Sequence, residues 1–383
     1  MKNLACAVMG ASAMCAGGAA AAEEAKGESG AVQFSLSYVA DVTGVVDGGV
    51  AQRGRFLDNL DLVMDIDLER AMNWRGASVH VDVLNNSGGM PNDAAGTLQG
   101  IDNIEVSSRR LRLFEAWVEQ SFGSSSLRLG LYDLNSEFYA NDAAGYLIAP
   151  AFGVGSEIAA TGSNGPSIFP STALAARYHV QFDSDFYARG AILNADAGVL
   201  GDPGGVDFSF DGGALLIAEG GIEGERKLAF GAWRYTERQD NIRNPVQSIA
   251  QGAYVVFEQP LNDPDAARAA RAFVRAGVSD GDTTPFAGGW QAGVLIERVF
   301  EGRPDSVLSF GVNQGMLSEG YRQNQIDLGA SMSDSELQVE ITYSDKICPH
   351  LTVQPDLQWV RRPSGDRGIE DAFVAGLRVS VEL

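Results

Sequence analysis

Between Leu60 and Glu69 the chain reads LDLVMDIDLE, with Leu60, Leu62, Met64, Ile66 and Leu68 on one parity and Asp61, Val63, Asp65, Asp67 and Glu69 on the other. Successive side chains of a strand point to opposite faces, so this segment predicts a strand with one apolar face and one nearly acidic face. The same arrangement recurs at Glu336–Ser344, where Leu337, Val339, Ile341 and Tyr343 oppose Glu336, Gln338, Glu340, Thr342 and Ser344. It recurs at the C-terminus, where Phe373, Ala375, Leu377, Val379, Val381 and Leu383 share a face. Less regular alternation predicts strands over Gln33–Thr43, Gly76–Leu84, Arg110–Gln120, Ser125–Tyr132, Thr172–Gln181, Phe186–Asn194, Gly213–Ile222, Lys227–Thr236, Gly252–Gln259, Ala272–Ser279, Trp290–Phe300, Ser306–Gly315 and His350–Val360. That makes about 16 strands, most of them ~9–11 residues long, the length a tilted strand needs to cross a bilayer. Helical spacing is confined to DPDAARAARAF, Asp263–Phe273, which reads as a short helix in a loop. The stretches VVDGG, NNSGGMPNDAAG and NADAGVLGDPGG read as turns and surface loops.

One strand stops abruptly. In LRLGLYDLNSEF, Leu127, Leu129 and Leu131 share a parity that Asp133, Asn135 and Glu137 then take over. A strand with its leucines against hydrocarbon cannot carry carboxylates onto the same face, so the chain must leave the wall at Asp133. The segment that follows, to about Ser171, has no sustained alternation and is far longer than a hairpin turn. Its aromatic and apolar residues (Phe138, Tyr139, Tyr146, Phe152, Ile168, Phe169) predict an ordered segment that folds inward and narrows a channel.

The N-terminus adds a compartment. Lys2, an uncharged run from Leu4 to Ala22 rich in Ala and Gly, and small residues before Glu23 predict a signal peptide over residues 1–22, with one domain from 23 to 383. Cleavage there removes Cys6 and Cys15 and leaves Cys348 alone, so no internal disulfide is expected. The formal charge of −22 argues against a nucleic-acid partner. His80, His179 and His350 stand apart, without metal-ligand spacing or a nucleophile motif, and neither a cofactor nor an enzymatic activity is expected.

A large closed barrel accounts for both faces at once, with lipid outside and water inside, and it leaves no strand edge unpaired in the membrane. The expected fold is therefore all-β, a 16-stranded antiparallel transmembrane β-barrel with an inward-folded constriction loop at about 133–171, located in the bacterial outer membrane. A soluble sandwich or propeller is the alternative, although its second face would rarely be so acidic.

Several phrases also carry a resemblance. YDLNSEF, NGPSIFPSTALAARY, SLSYVADVTG, LDNLDL, FEAWVEQ, GAYVVFEQPL, GRPDSVLSFGV and ELQVEITYSDKICPHLTVQPDLQWVRRPSG resemble the carbohydrate-selective porin family (OprB-type) and cover most of the chain. The resemblance implies a 16-stranded porin whose third loop folds into the lumen and which passes glucose and other small sugars by passive diffusion. Two departures stand out: Leu383 ends the chain where such barrels often present Phe to the outer-membrane assembly machinery, and Pro260 occupies a position where the family commonly has Met. Pro260 is expected to end its strand.

Sugar passage requires polar side chains that exchange with hydroxyl hydration and aromatic faces along which a ring slides. The apolar, lipid-facing parity of Phe114, Ala116 and Val118 turns Glu115, Trp117 and Glu119 inward from one strand and the same logic turns Arg128 inward from the next, with Asp133, Asn135 and Glu137 at the loop root and Arg177 and Arg189 inward on later strands. Glu115 and Arg128 have two readings, a sugar contact or a lumen ion pair that fixes the loop. Small sugars and outer-membrane lipid are the expected partners, and the chain is a homotrimer or a monomer. Two rival functions stay open: a general or cation-favouring diffusion porin, and a secreted soluble glycan-binding β-protein.

Overall fold

The structure, a computed structural model, describes residues 30–162, 165–182, 185–199, 202 and 205–383. The expected signal peptide lies outside the described residues. Sixteen of the alternating segments form one closed antiparallel barrel. Its strands are β1 (Val32–Gly49), β2 (Gly54–Asp67), β3 (Ala77–Gly88), β4 (Arg110–Phe122), β5 (Ser125–Tyr132), β6 (Ala173–Gln181), β7 (Phe186–Asn194), β8 (Ala214–Glu223) and β9 (Lys227–Tyr235). They continue, after a small hairpin of β10 (Gln239–Asp240) and β11 (Gln247–Ser248), with β12 (Gln251–Pro260), β13 (Ala270–Ser279), β14 (Phe286–Glu297), β15 (Val307–Leu317), β16 (Ser335–Cys348), β17 (Leu351–Arg361) and β18 (Glu370–Glu382). β18 closes onto β1, and the N–H and C=O of Leu383 pair with those of Leu36, so the ladder is used to the last residue. No helix among the described residues is long and apolar enough to cross a membrane.

The period-2 pattern maps onto the two faces. On β2, Leu62 is exposed while Val63 is buried inside, and on β16 Ile341 is exposed while Glu336, Gln338 and Glu340 are buried. On β5, Leu129 is half exposed on the outer wall, but Leu131 at the strand's end is covered. β2 stops at Asp67 because its carboxylate caps a short helix, α1 (Leu68–Met72), accepting from the N–H groups of Glu69 and Arg70.

Three expectations are corrected. Asp263–Phe273 is not a helix: Asn262 clamps the turn by donating to Arg268 O and accepting from Ala270 N–H, and Ala270 already opens β13. A helix of nine residues lies instead at Glu319–Asp327, capped by Ser318, whose hydroxyl accepts from Tyr321 N–H. Phe114 is not on the lipid face: β3 and β4 slip register between Asp82 and Val83, and this bulge leaves Phe114 buried against Phe169. NNSGGMPNDAAG is not a surface loop: its first residues complete β3, and the connection over 89–109 folds inward, with Ala95 and Ile101 fully buried.

The inner wall is divided, and the division positions the functional segment. From β7 to β15 it carries inward apolar groups, including Tyr187, Leu193, Ile217, Trp233, Tyr254, Val256, Phe273 and Leu295. Such a surface is costly in contact with water, and the connection between β5 and β6 covers it. Leu134, Phe138, Tyr139 and Ile158 join one cluster with the wall, and Leu147, Ala149 and Phe152 join another. Each large side chain buried this way contributes up to about 1.5–3 kcal/mol. The opposite inner wall, β2 to β5, is lined by Asp61, Asp65, Glu119 and Arg128, which keep contact with solvent.

Candidate functional site

The site begins where β5 ends. Asp133 leaves the wall and caps a 3-10 turn over Leu134–Ser136 by accepting from Asn135 N–H at 2.9 Å. The Asp133 N–H donates to Glu115 Oε1 at 2.9 Å, so Glu115 from β4 holds the first residue of the loop. Asn135 donates through Nδ2 to the carbonyls of Phe138 and Gly153, tying the two limbs of the loop together.

Beside this root lies a four-membered ion-pair network. Arg128 Nε donates to Glu119 Oε2 at 2.9 Å, and Arg177 donates to the same oxygen at 2.6 Å. Arg177 also reaches Glu137, with 2.9 Å from its terminal nitrogen and 2.7 Å from Nε, and Tyr132 OH donates to Glu137 as well. Burial pushes the Glu137 carboxyl up, but Arg128, Arg177 and Arg189 outweigh it and hold the group down at about 2. Asp133 goes the other way: burial and the adjacent Glu115 charge push it up to about 8.

The expected pairing of Glu115 with Arg128 is replaced by Glu119 with Arg128, because those two residues are direct cross-strand partners while Glu115 lies at the level of the loop root. Trp117 lies between them in sequence and in space. It stacks with His80 of β3 at 4.8 Å and 16°, and the Arg128 guanidinium sits 3.7 Å over its ring. Its partners thus come from the strands on either side. Arg189 is inward and buried, and although its charge acts on Glu137, its direct bonds lie elsewhere. It donates to Glu219 at 3.0 and 2.8 Å, and Glu219 also accepts from the hydroxyls of Tyr187 and Tyr254 and from Tyr139 N–H.

Sequence reasoning missed a second class of functional residue, the wall glutamates that receive loop amides. Glu258 accepts from Ala143 N–H and Asn141 Nδ2, and Glu340 accepts from the N–H groups of Ile148 and Ala149. Glu336 accepts from Leu98, Gln99 and Ser364, so it anchors the inward connection over 89–109 too. Charge-assisted bonds of this kind are about twice as strong as neutral ones. Much of the lumen's acidity is therefore bound to backbone rather than displayed to the passage. The available signal was Glu336 and Glu340 on the wet parity of a strand, but strand parity gives no partner.

Arg275 on β13 completes the anchoring. It is fully buried and donates to the carbonyls of Tyr139, Gly153 and Phe152 at 2.8, 2.8 and 2.5 Å. No carboxylate lies within ion-pair distance of it among the described residues. With two loops drawn onto one side of the wall, the solvent-contacting residues Asp61, Asp65, Glu115, Trp117, Glu119 and Arg128 border what is left of the lumen. No three His, Cys, Asp or Glu side chains among the described residues are grouped to bind a metal ion.

The family model described as carbohydrate-selective porin, OprB family, matches residues 51–383. Porin B of Pseudomonas aeruginosa is 23% identical over 90% of this chain and 86% of its own length. Among solved structures, the high-pH structure of Pseudomonas putida OprB superposes with a TM-score of 0.83 at 20% identity, over 92% of this chain and 94% of that one. The outer-membrane channel DcaP of Acinetobacter baumannii does so with a TM-score of 0.58 at 12% identity, over 92% and 97%.

Proposed function

We propose that this chain, which belongs to the OprB family of carbohydrate-selective porins and is a barrel of the bacterial outer membrane, passes small neutral monosaccharides such as glucose by passive, saturable diffusion. The observation that supports this reading is the composition of the residual passage. Carboxylates and a guanidinium line one wall of the passage, with the charges of Glu119, Arg128, Arg177 and Glu137 balanced by one another. Balanced pairs offer donors and acceptors to hydroxyls without a strong net field for ions. Glu115, Trp117, Arg128, Asp133, Asn135, Glu137, Arg177 and Arg189 then divide by position. Glu115, Trp117 and Arg128 border the passage, Asp133, Asn135, Glu137 and Arg177 set the loop's position, and Arg189 supports the loop from the far wall.

The test is liposome swelling with glucose against a neutral amino acid of similar size, together with glucose block of single-channel current. Faster glucose entry and a concentration-dependent block are expected. Equal rates and no block would reduce the channel to a general pore. The cation-favouring reading rests on Asp61 and Asp65, which line the passage without an arginine partner among the described residues. A reversal potential in a salt gradient measures how far that reading applies.

A further inference from the structure

The turn of the constriction loop carries a carboxyl group that the anchoring scheme above does not use. Glu157 lies in a single helical turn, Ser156–Ala159, and is fully buried. Its Oε1 accepts from Tyr139 OH at 2.9 Å, while its buried Oε2 has no hydrogen-bond partner. No arginine or lysine forms an ion pair with it among the described residues.

The wall is shaped to receive it. Gly277, Gly289 and Gly315 are consecutive partners across β13, β14 and β15, which makes a trench without side chains. A Cβ on Gly277 would lie 1.8 Å from Glu157 Oε1, and one on Gly289 would lie 3.5 Å from Oε2. On the loop itself, a Cβ on Gly155 would meet Oε1 at 2.3 Å. The trench continues under the other inward connection, where Gln99, which accepts from Ser156 Oγ at 3.1 Å, fills the space a Cβ on Gly315 would need.

We infer that Glu157 is a positioning residue, a neutral acid seated in the Gly277–Gly289–Gly315 trench, and that its ionisation unseats the constriction loop and widens the passage. A carboxylate at that place would have one oxygen facing backbone with no donor, a cost that the loop escapes by moving away. The groups that face it are few. Tyr139 belongs to the loop and donates to it. Arg275 from β13 is the cation whose charge acts on it, and its terminal nitrogens are committed to loop carbonyls. Tyr254 from β12 donates to Glu219, and Glu336 beyond Gly315 is committed to amides. Burial pushes the Glu157 carboxyl up against the smaller opposing pulls of its own N–H, Tyr139 and Arg275, in the direction the latch requires. The inference does not depend on which solute the channel passes.

Single-channel conductance of the full barrel in planar bilayers, followed from acidic to alkaline pH, tests it. Wild type is expected to rise in conductance as pH rises, Glu157→Gln to stay at the low value throughout, and Gly277→Ala to show the high value at every pH because the seat is filled. Heat-modifiable migration checks that each variant is a barrel, and if Glu157→Gln does not assemble, wild type and Gly277→Ala still decide. A flat wild-type profile, a Glu157→Gln variant that rises as wild type does, or a Gly277→Ala variant with the wild-type profile would each overturn the inference. Sugar selectivity measured at one pH is a separate readout, so failure here is distinguishable from failure of the carbohydrate reading.

Discussion

Arg177 on β6 and Glu137 in the constriction loop form a direct ionic joint between wall and loop, with nitrogen–oxygen distances of 2.7 and 2.9 Å. The guanidinium is 2% exposed and also serves Glu119 from β4, so one side chain joins two strands and the loop. Removing one member of a buried pair strands the other charges, at a cost of about 3–5 kcal/mol. Arg177→Met is therefore expected to lower the temperature at which the barrel converts to its unfolded electrophoretic form, and to raise conductance by freeing the loop root. Unchanged conversion would show the joint to be dispensable.

The loop root titrates in two opposite directions. Glu137 sits at about 2 against an ordinary 4.5, so its contribution is complete above that ordinary value and is lost as pH falls toward 2. Asp133 sits at about 8 against an ordinary 3.8, so the folded state holds the proton more tightly and stability is lost as pH rises between those values. The conversion temperature should accordingly fall on both sides of an intermediate optimum. Asp133→Asn, which keeps an acceptor for Asn135 N–H, should flatten the alkaline side only. An unaltered alkaline slope in that variant would assign the loss to other groups.

The wall was legible in the sequence because lipid on one side and water on the other enforce period 2 on every strand. β5 and β7 begin and end where alternation does, and the break at Asp133 marks the exit from the wall. What alternation does not encode is where a loop goes after it leaves. The inward course of residues 89–109 depends on Glu336, far away in sequence, receiving the amides of Leu98 and Gln99. Likewise the choice of Glu119 over Glu115 as partner of Arg128 is a matter of the cross-strand register between β4 and β5, which strand parity alone does not give. Asp263–Phe273 misled for the complementary reason: its spacing is helical, but a turn closed by Asn262 overrides propensity.

Arg275 offers a test of geometry rather than charge. Its planar fork reaches carbonyls on two limbs of the loop, a span that a single ammonium cannot reproduce. Arg275→Lys should therefore resemble Arg275→Met, each leaving buried carbonyls unpaired at ~1–3 kcal/mol apiece. Limited proteolysis of the loop in detergent, with conductance alongside, measures this. Full rescue by lysine would mean that charge alone is what the loop requires.

Arg128 is the place where passage and anchoring meet, since it borders the lumen while its guanidinium lies on Trp117 and its Nε on Glu119. On the proposed function, Arg128→Gln exchanges a charged donor facing the sugar for a shorter neutral amide, and it removes the cation that balances Glu119. Two readouts should move together: glucose block weakens by ~1.5–3 kcal/mol, the value of a hydrogen bond to a charged group, and the reversal potential shifts toward cation preference. Trp117→Ala separates the contributions, because it removes the aromatic face and leaves both charges. If sugar block falls in Trp117→Ala without a change in ion selectivity, the ring contacts the sugar. If Trp117→Ala moves both readouts as Arg128→Gln does, the ring acts only by holding the guanidinium in place, and hydroxyl recognition along this wall is the work of the charged groups.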